Sequence, residues 1–301
     1  MLRRADPDQV QTLAERRSST DAWQTRAGAR SAMVYPVKIE ATSIASVPVR
    51  DITPLDSKPR HPDWVLLNLH GGGFNSDSGS LTESIPLANL MHTRVVAVLY
   101  RLAPEHPYPA AAEDAVSVYR DLLKHYKPAH IVLYGTSAGA ILTAEVAVRL
   151  RQESLPLPAA LGIFSGLGDF SQTGDSQALY SLRGLAGSPS IPGNTPHDAE
   201  YTGVTDTKDP LLSPLYADLR HLPPSLFVTS GRDMLLSGTT ILHRAFLRSG
   251  VDARLIVFEG LPHAFWNDVD LPESKEAYAC MASFFTQQLS RPQPQGKETV
   301  R

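Results

Sequence analysis

The chain of 301 residues carries a formal net charge of −3, and 42% of its residues are hydrophobic. This length permits one large domain or two small ones with an ample core, and the charge balance gives no basic footprint for nucleic acid or an anionic membrane. No apolar stretch is long enough to span a bilayer, no apolar segment of a secretory signal follows residues 1–4, and the single cysteine, Cys280, fits a reducing compartment, so we expect a cytoplasmic protein.

Strands alternate with helices along most of the chain, which predicts a mostly parallel sheet covered by helices on both faces. The predicted strands are rich in Val, Ile and Leu, as buried strands should be. In chain order the predicted elements are helical segments within 1–31, a strand hairpin at 33–39 and 44–52, a strand at 64–69, a helix that begins with a capping box at Ser80 and Glu83 and runs through Met91, a strand at 95–100, a helix at 110–126, a strand from Ile131 into a turn at Gly135, a helix at 140–150, strands at 159–165 and 225–229, a helix at 239–248, a strand at 254–258 and a helix at 274–289.

One long segment, residues 166–213, interrupts this alternation. It is rich in Gly, Ser, Asp and Pro and contains only weak helical stretches. Such a segment is too long for a plain connection, so it predicts a functional excursion such as a lid. The final residues, 291–301, are polar and contain two prolines, and we expect a disordered tail there.

A serine at a glycine-flanked turn is the central feature of the sequence. Four apolar or aromatic residues from Ile131 run into Gly-Thr-Ser-Ala-Gly at 135–139, and a helix-favouring stretch follows. Small residues at both ends of the motif allow a strained turn between strand and helix, which exposes the side chain of Ser137. The amide of Ala138 lies at the helix start, where unpaired donors and the helix dipole favour negative charge.

Three glycines follow the strand at 64–69, in the run His-Gly-Gly-Gly-Phe at 70–74. Glycines let the backbone approach a ligand closely, and their amides can receive the negative charge that develops when a serine attacks a carbonyl. A tight turn without such a role is the alternative interpretation. We interpret His70 as a residue that braces this loop rather than as a catalytic base.

An acid and a base each follow a predicted strand later in the chain. Asp233 comes after the strand at 225–229, and His263 comes after the strand at 254–258. The carboxyl ends of parallel strands meet at the edge where ligands bind, so the order Ser, Asp, His favours a hydrolytic triad over a helix cap and a surface histidine. Glu259 and Asp268 are weaker candidates for the acid, because the first lies too close to its strand and the second lies beyond the histidine.

Two further stretches carry a family resemblance. Residues 100–110 read Tyr-Arg-Leu-Ala-Pro-Glu-His-Pro-Tyr-Pro-Ala and are followed by Asp114, and residues 209–214 read Asp-Pro-Leu-Leu-Ser-Pro. With the glycine triplet and the serine motif, these four motifs in order resemble the bacterial hormone-sensitive-lipase-like esterases of the α/β-hydrolase superfamily, over nearly all of residues 60–290. Thr136 stands where most members carry Asp, and Ala140 stands where most carry a second glycine.

The resemblance implies a fold and domain boundaries. It implies the α/β-hydrolase fold, with a mostly parallel central sheet, helices on both faces and a helical cap. The catalytic core would comprise 46–165 and 214–290, and the cap 1–45 and 166–213. Asp209 and the stretch from Arg101 to Asp114 would place loops, and family members are often homodimers.

The resemblance also implies roles for individual residues. Ser137 would be the nucleophile, His263 the general base and then acid, and Asp233 the residue that orients the imidazole. The amides of Gly72, Gly73 and Ala138 would form the oxyanion hole, whereas a contribution from Gly71 stays open. No metal and no organic cofactor would be needed.

The predicted function is therefore a serine carboxylesterase for short-chain, moderately apolar esters. An amidase or a lactonase could use the same triad, and a non-catalytic ligand receptor exists on this fold. The receptors that resemble this family lack the histidine, whereas His263 is present here in the sequence Pro-His-Ala-Phe. A haloalkane dehalogenase would need Asp in place of Ser137.

Overall fold

A single eight-stranded sheet organises the chain, in a computed structural model that describes residues 12–55, 61–172, 174–179 and 196–291. The strands are β1 (Val37–Ile44), β2 (Val47–Pro54), β3 (Val65–Leu69), β4 (Arg94–Val98), β5 (Ile131–Thr136), β6 (Ala160–Phe164), β7 (Ser225–Arg232) and β8 (Ala253–Pro262). Their order in the sheet is β1-β2-β4-β3-β5-β6-β7-β8; the first two pairings are antiparallel and the other five are parallel. The mostly parallel sheet that the sequence predicts is therefore confirmed.

Helices cover both faces of the sheet. Alternate residues of β5 point to opposite faces, so Leu133 belongs to one core cluster and Tyr134 to the other. The helices are α1 (Leu13–Val34), α2 (Ser84–Met91), α3 (Ala110–Leu122), α4 (Ala138–Gln152), α5 (Asp175–Leu179), α6 (Pro196–Thr202), α7 (Leu236–Arg248) and α8 (Pro272–Leu289). The first cluster includes side chains of α3, α4 and α7, and the second includes side chains of α2 and α8.

The N-terminal segment forms one long helix instead of short helical pieces. Thr12 and Glu15 form a capping box at its start, with the Thr12 amide 2.8 Å from a Glu15 carboxylate oxygen. The helix runs to Val34 because Pro36 disfavours helical geometry in the residue before it. The first strand of the predicted hairpin therefore begins at Val37 rather than at residue 33, and it pairs with β2 in the main sheet.

The capping box predicted at Ser80 and Glu83 is not formed. The helix α2 begins at Ser84, and Glu83 makes no side-chain cap hydrogen bond. The hydroxyl of Ser80 instead donates to Asp77, at 2.6 Å. The carboxyl group of Glu83 points into the protein, where it accepts a hydrogen bond from the amide of Gly71 at 3.1 Å. Tertiary contacts thus override the local pattern.

Several predicted segments fall partly outside the described residues. In the predicted excursion at 166–213, α5 and α6 are described, whereas 173 and 180–195 lie outside the described ranges. Residues 1–11 and the predicted tail from 292 onward also lie outside them. Across the described ranges, no helix is both long enough and apolar enough to cross a membrane.

Candidate active site

The strand β5 ends in a sharp turn that carries Ser137. Its φ of 57° and ψ of −122° lie in a region that residues other than glycine rarely adopt. The turn is close-packed, because a Cβ at Gly139 would lie 1.8 Å from the backbone oxygen of Leu69, and one at Gly135 would lie 2.3 Å from the same atom. Both flanking glycines are therefore required by the neighbouring strand β3, as the Gly-x-Ser-x-Gly pattern predicts.

Ser137, His263 and Asp233 form a chain of hydrogen bonds. The Ser137 hydroxyl oxygen lies 2.9 Å from Nε2 of His263, and Nδ1 of His263 lies 2.7 Å from Oδ1 of Asp233. His263 directly follows β8, and Asp233 directly follows β7, so neighbouring parallel strands place both side chains at the same edge of the sheet. The imidazole can thus take a proton from the serine while the carboxylate faces its other nitrogen.

The carboxylate of Asp233 is buried and accepts hydrogen bonds on both oxygens. The amide of Leu235 donates to Oδ1 at 2.8 Å, the hydroxyl of Thr229 donates to Oδ2 at 2.8 Å, and the hydroxyl of Ser165 also donates to Oδ2. Burial alone would raise the pKa of Asp233, but the adjacent His263 and the hydrogen bonds from Ser165 and Leu235 lower it below its ordinary value. The acid therefore stays ionised at neutral pH and can stabilise an imidazolium.

The glycine loop, residues 70–74, lies beside the turn that carries Ser137 and contributes backbone amides to the site. Gly72 and Gly73 have φ values of 120° and 61°, which favour glycine. Within the described residues, no protein acceptor is hydrogen-bonded to the amides of Gly72, Gly73 or Ala138. The amide of Gly71, in contrast, donates to Glu83. The amide of Gly71 therefore already has a hydrogen-bond acceptor within the protein.

His70 braces the glycine loop and lies apart from the hydrogen-bonded chain. Its Nδ1 donates to the backbone oxygen of Gly71 at 2.8 Å, and its ring stacks on Tyr100 with centroids 4.1 Å apart. The hydroxyl of Tyr100 donates in turn to the backbone oxygen of His70, at 2.6 Å. This arrangement agrees with the structural interpretation of His70.

The other acidic candidates do not reach the histidine. Glu259 lies within β8 and Asp268 follows the short 3₁₀ helix Phe265–Asn267, and both are exposed. Neither is a hydrogen-bond partner of His263. Asp233 is therefore the acid that the structure brings to the imidazole.

The other two family-like stretches place loops. The guanidinium Nε of Arg101 lies 3.0 Å from both carboxylate oxygens of Asp114, on the first turns of α3. Oδ1 of Asp209 accepts from the amide of Leu211 at 2.8 Å. These residues hold backbone segments and do not contact the Ser137 side chain.

The helix α6 packs on the glycine loop. The ring of Tyr201 stacks on Phe74, with centroids 3.5 Å apart and planes inclined by 7°. Its hydroxyl donates to the buried carboxyl of Glu145 on α4, at 2.6 Å. Burial raises the pKa of Glu145 to about 8, against the opposing effect of the Tyr201 hydrogen bond. Tyr201 thus joins the excursion to both the loop and the helix that follows the serine.

Four residues that sequence reasoning missed contact the site: Ser165 and Thr229 at Asp233, Glu83 at the glycine loop, and Tyr201 on Phe74. Ser165, Glu83 and Tyr201 contact residues that are distant in sequence, and Thr229 reaches Asp233 because of the direction of its side chain. No local sequence pattern therefore marks these four residues. Across the described ranges, no group of three or more His, Cys, Asp or Glu side chains is arranged to hold a metal ion.

A serine on a strand-to-helix turn, next to a His–Asp pair and a glycine-rich loop, is the arrangement of an α/β hydrolase. Residues 66–267 match a protein family whose description is alpha/beta hydrolase fold. An acetyl-hydrolase of Streptomyces hygroscopicus is 32% identical over 279 residues, covering 87% of this chain and 91% of that protein. An esterase of Acinetobacter venetianus is 30% identical over 241 residues, covering 74% of each.

A solved structure shows the same relationship. The crystal structure of an esterase from the bacterial hormone-sensitive lipase family is 33% identical, covers 94% of each chain and has a TM-score of 0.82. The protein therefore belongs to the α/β-hydrolase-fold family and, within it, to the bacterial hormone-sensitive-lipase-like esterases.

Proposed function

We propose that the protein is a serine carboxylesterase that hydrolyses short-chain, moderately apolar carboxylic esters through an acyl-enzyme on Ser137. The observation that carries this proposal is the hydrogen-bonded chain from Ser137 through His263 to Asp233. The esterases and the acetyl-hydrolase to which the chain is similar support the same reaction class. The preference for short acyl chains is part of the proposal.

Acylation begins with attack of the Ser137 hydroxyl oxygen on the ester carbonyl. Nε2 of His263 takes the serine proton, and Asp233 stabilises the resulting imidazolium. The carbonyl oxygen becomes an oxyanion that accepts from the amides of Gly72, Gly73 and Ala138. The imidazolium then protonates the alkoxide leaving group, and the alcohol departs.

Deacylation repeats these steps with water. His263 takes a proton from a water molecule, whose oxygen attacks the acyl carbonyl. The same three amides receive the second oxyanion, and the imidazolium returns its proton to Ser137 as the acid is released. Because the side chain of His263 is 22% exposed, water can approach the imidazole without rearrangement of the core.

The substrate pocket, in this proposal, is closed by a cap formed by 1–45 and 166–213 over a core of 46–165 and 214–290. The packing of Tyr201 on Phe74 supports the assignment of α6 to the cap, because Phe74 directly follows the glycine triplet. The hydrogen bond from Arg17 on α1 to the backbone oxygen of Asn75 supports the assignment of the N-terminal helix to the cap. Within 1–45, β1 is hydrogen-bonded to the main sheet, so the cap contribution of this segment comes from α1.

A homodimer and a cytoplasmic location complete the proposal. The homodimer rests on the family resemblance, and the location rests on the single cysteine, Cys280. Light scattering on the purified protein tests the first, and fractionation of the native cells tests the second.

Hydrolysis of p-nitrophenyl acetate and butyrate by the purified protein tests the reaction class. Ser137→Ala should abolish release of p-nitrophenol, whereas Ser117→Ala, which changes a hydroxyl on α3 far from the site, should leave it unchanged. Wild-type activity in Ser137→Ala would overturn the proposal. A butyryl p-nitroanilide and a γ-lactone, assayed in parallel, decide whether an amide or a lactone is the better substrate.

A further inference from the structure

The carboxyl group of Glu83 is fully buried where three segments of the site meet. Oε1 accepts from the amide of Gly71 at 3.1 Å, and Oε2 accepts from the side-chain amide of Asn68 at 3.0 Å. A Cβ added at Gly71 would lie 3.0 Å from the backbone oxygen of Thr136 and 3.4 Å from Oε1 of Glu83, so Gly71 packs between these two residues. Gly71 directly precedes Gly72, and Thr136 directly precedes Ser137. Glu83 therefore holds the backbone of Gly71 against the residue before the serine.

The third segment is reached through the hydroxyl of Thr136. Nε1 of Trp266 donates to Oγ1 of Thr136 at 3.2 Å, and both side chains are buried. Trp266 lies three residues after His263, in the 3₁₀ helix that follows it. The hydroxyl of Thr136 therefore ties the serine turn to the segment that carries His263.

Close packing around the carboxyl group leaves it little freedom. A Cβ at Gly79 would lie 1.7 Å from Oε1 of Glu83 and 3.0 Å from the amide nitrogen of Gly71. The residue at 79 must therefore be glycine for the carboxyl group to reach the loop. The hydroxyl of Tyr134 donates to the backbone oxygen of Glu83 at 3.3 Å, which fixes the main chain as well.

We propose that Glu83 and Thr136 are positioning residues that lock the glycine loop, the serine turn and the histidine segment into one catalytic geometry. This inference rests on the proposed esterase function. Trp266 is hydrogen-bonded to Thr136, the backbone of Thr136 packs against Gly71, and the amide of Gly71 is hydrogen-bonded to Glu83. It fixes the direction of the amides of Gly72 and Gly73 relative to Ser137, and an oxyanion hole depends on that direction.

The chemistry of Glu83 agrees with this role. Burial raises the pKa of Glu83 to about 8, although the hydrogen bonds from Asn68 and Gly71 oppose this effect. The nearby charge of Asp77 raises it further. A protonated carboxyl group still offers acceptor oxygens to the loop, yet it adds no negative charge beside a developing oxyanion. A threonine at 136 suits this arrangement, because its hydroxyl accepts from Trp266 without placing a negative charge in this buried region.

Substitutions at Thr136 test the proposal most selectively. Thr136→Val removes the hydroxyl at constant shape and should lower kcat for p-nitrophenyl butyrate about tenfold, because the oxyanion donors become less well directed. KM should stay within about twofold, because ground-state binding does not use these donors. Thr136→Ser, which keeps the hydroxyl, should restore most of kcat. Thr93→Val is the matched control, since Thr93 is also buried and its hydroxyl donates to the backbone oxygen of Met91.

Affinity for an oxyanion mimic separates positioning from simple stabilisation. A trifluoromethyl ketone forms an oxyanion on the serine, so its inhibition constant should weaken in Thr136→Val by the same factor as kcat/KM. A purely structural role would lower the unfolding temperature and leave the inhibition constant of the folded fraction unchanged. That result, or a kcat of Thr136→Val within twofold of the wild type, would overturn the proposal.

Variants around Glu83 provide an independent arm. Gly79→Ala should displace the carboxyl group of Glu83 and lower kcat as Thr136→Val does. Glu83→Met should lower kcat in the same way, because it removes both acceptor oxygens. Glu83→Gln should retain most activity, because its side-chain amide keeps one acceptor oxygen. Equal activity in Glu83→Met and the wild type would contradict the inference. If the wild type hydrolyses no ester, the proposed function is wrong. If the wild type is active and Thr136→Val, Gly79→Ala and Glu83→Met retain as much activity as Thr93→Val, the esterase function stands and only the positioning role is wrong.

Discussion

Arg17 on the N-terminal helix donates from Nε to the backbone oxygen of Asn75, at 2.7 Å. Asn75 lies two residues after Gly73, so α1 is joined directly to the segment that follows the glycine triplet. The same guanidinium donates to the backbone oxygen of Ala103 at 3.0 Å and pairs with Glu105 at 2.7 Å. Farther along the helix, Gln24 donates to the backbone oxygen of Asp77 at 2.8 Å. The helix α1 therefore holds the segment that follows the glycine loop at two points, through Arg17 and Gln24.

Arg17→Met should lower kcat for p-nitrophenyl butyrate several-fold, because the glycine loop loses a charge-assisted hydrogen bond worth about 1.5–3 kcal/mol at most. Arg26→Met is the matched control, since Arg26 is an exposed arginine on the same helix. Steady-state kinetics of the two variants measures the difference. Equal kcat values would show that α1 does not support the loop during the reaction.

Thr229→Val should lower kcat by about tenfold with folding intact, because Oδ2 of Asp233 loses a buried donor and the carboxylate becomes less well held against His263.

Asp233→Asn should cause a far larger loss, on the order of 10⁴-fold, because the imidazolium loses its partner. Circular dichroism checks the fold of both variants. An Asp233→Asn variant with wild-type kcat would point to another acid.

The fold class and the hydrogen-bonded triad could be predicted from the sequence because local patterns encode them. The serine turn needs small residues at 135 and 139, and the acid and base each follow a strand whose apolar run is visible. The role of Glu83 could not be predicted in this way. Ser80 and Glu83 match a capping box, yet the carboxyl group is drawn into the protein by Gly71 and Asn68. Contacts from Ser165 to Asp233 and from Arg17 to Asn75 join residues 68 and 58 positions apart, and no periodicity marks such pairs.

The stability of the protein should fall as pH rises from about 5 to about 8 through the ionisation of Glu83 in the unfolded chain. Its ordinary pKa of 4.5 rises to about 8 in the fold. Between these values the unfolded state releases the proton and the folded state retains it, so each pH unit lowers the free energy of unfolding by up to about 1.4 kcal/mol. Below the lower value both states are protonated, and this dependence vanishes.

Urea unfolding of the wild type and of Glu83→Gln between about pH 5.5 and about pH 7.5 measures this effect. The variant carries no titratable group at 83, so its stability should fall less steeply with pH. Glu145→Gln provides a second comparison, because burial also raises the pKa of Glu145 to about 8. Parallel pH curves for wild type and Glu83→Gln would show that Glu83 ionises alike in both states.

Tyr201→Phe should destabilise the protein by about 1–3 kcal/mol, because the buried carboxyl group of Glu145 loses its hydroxyl donor. Oε1 of Glu145 is also buried without a partner among the described residues. The double variant Tyr201→Phe with Glu145→Met should be less destabilised than Tyr201→Phe, since both polar partners are then removed together. Chemical unfolding measures both values, and a more severe loss in the double variant would contradict the pairing.

Trapping the acyl-enzyme tests the central claim most directly. Mixing the protein rapidly with p-nitrophenyl butyrate and quenching in acid should leave one butyryl group per active chain, and peptide mass spectrometry should locate it on Ser137. Ser137→Ala should give neither the adduct nor the burst of p-nitrophenol that accompanies it. A butyryl group on another residue, or rapid ester hydrolysis by Ser137→Ala, would contradict the account.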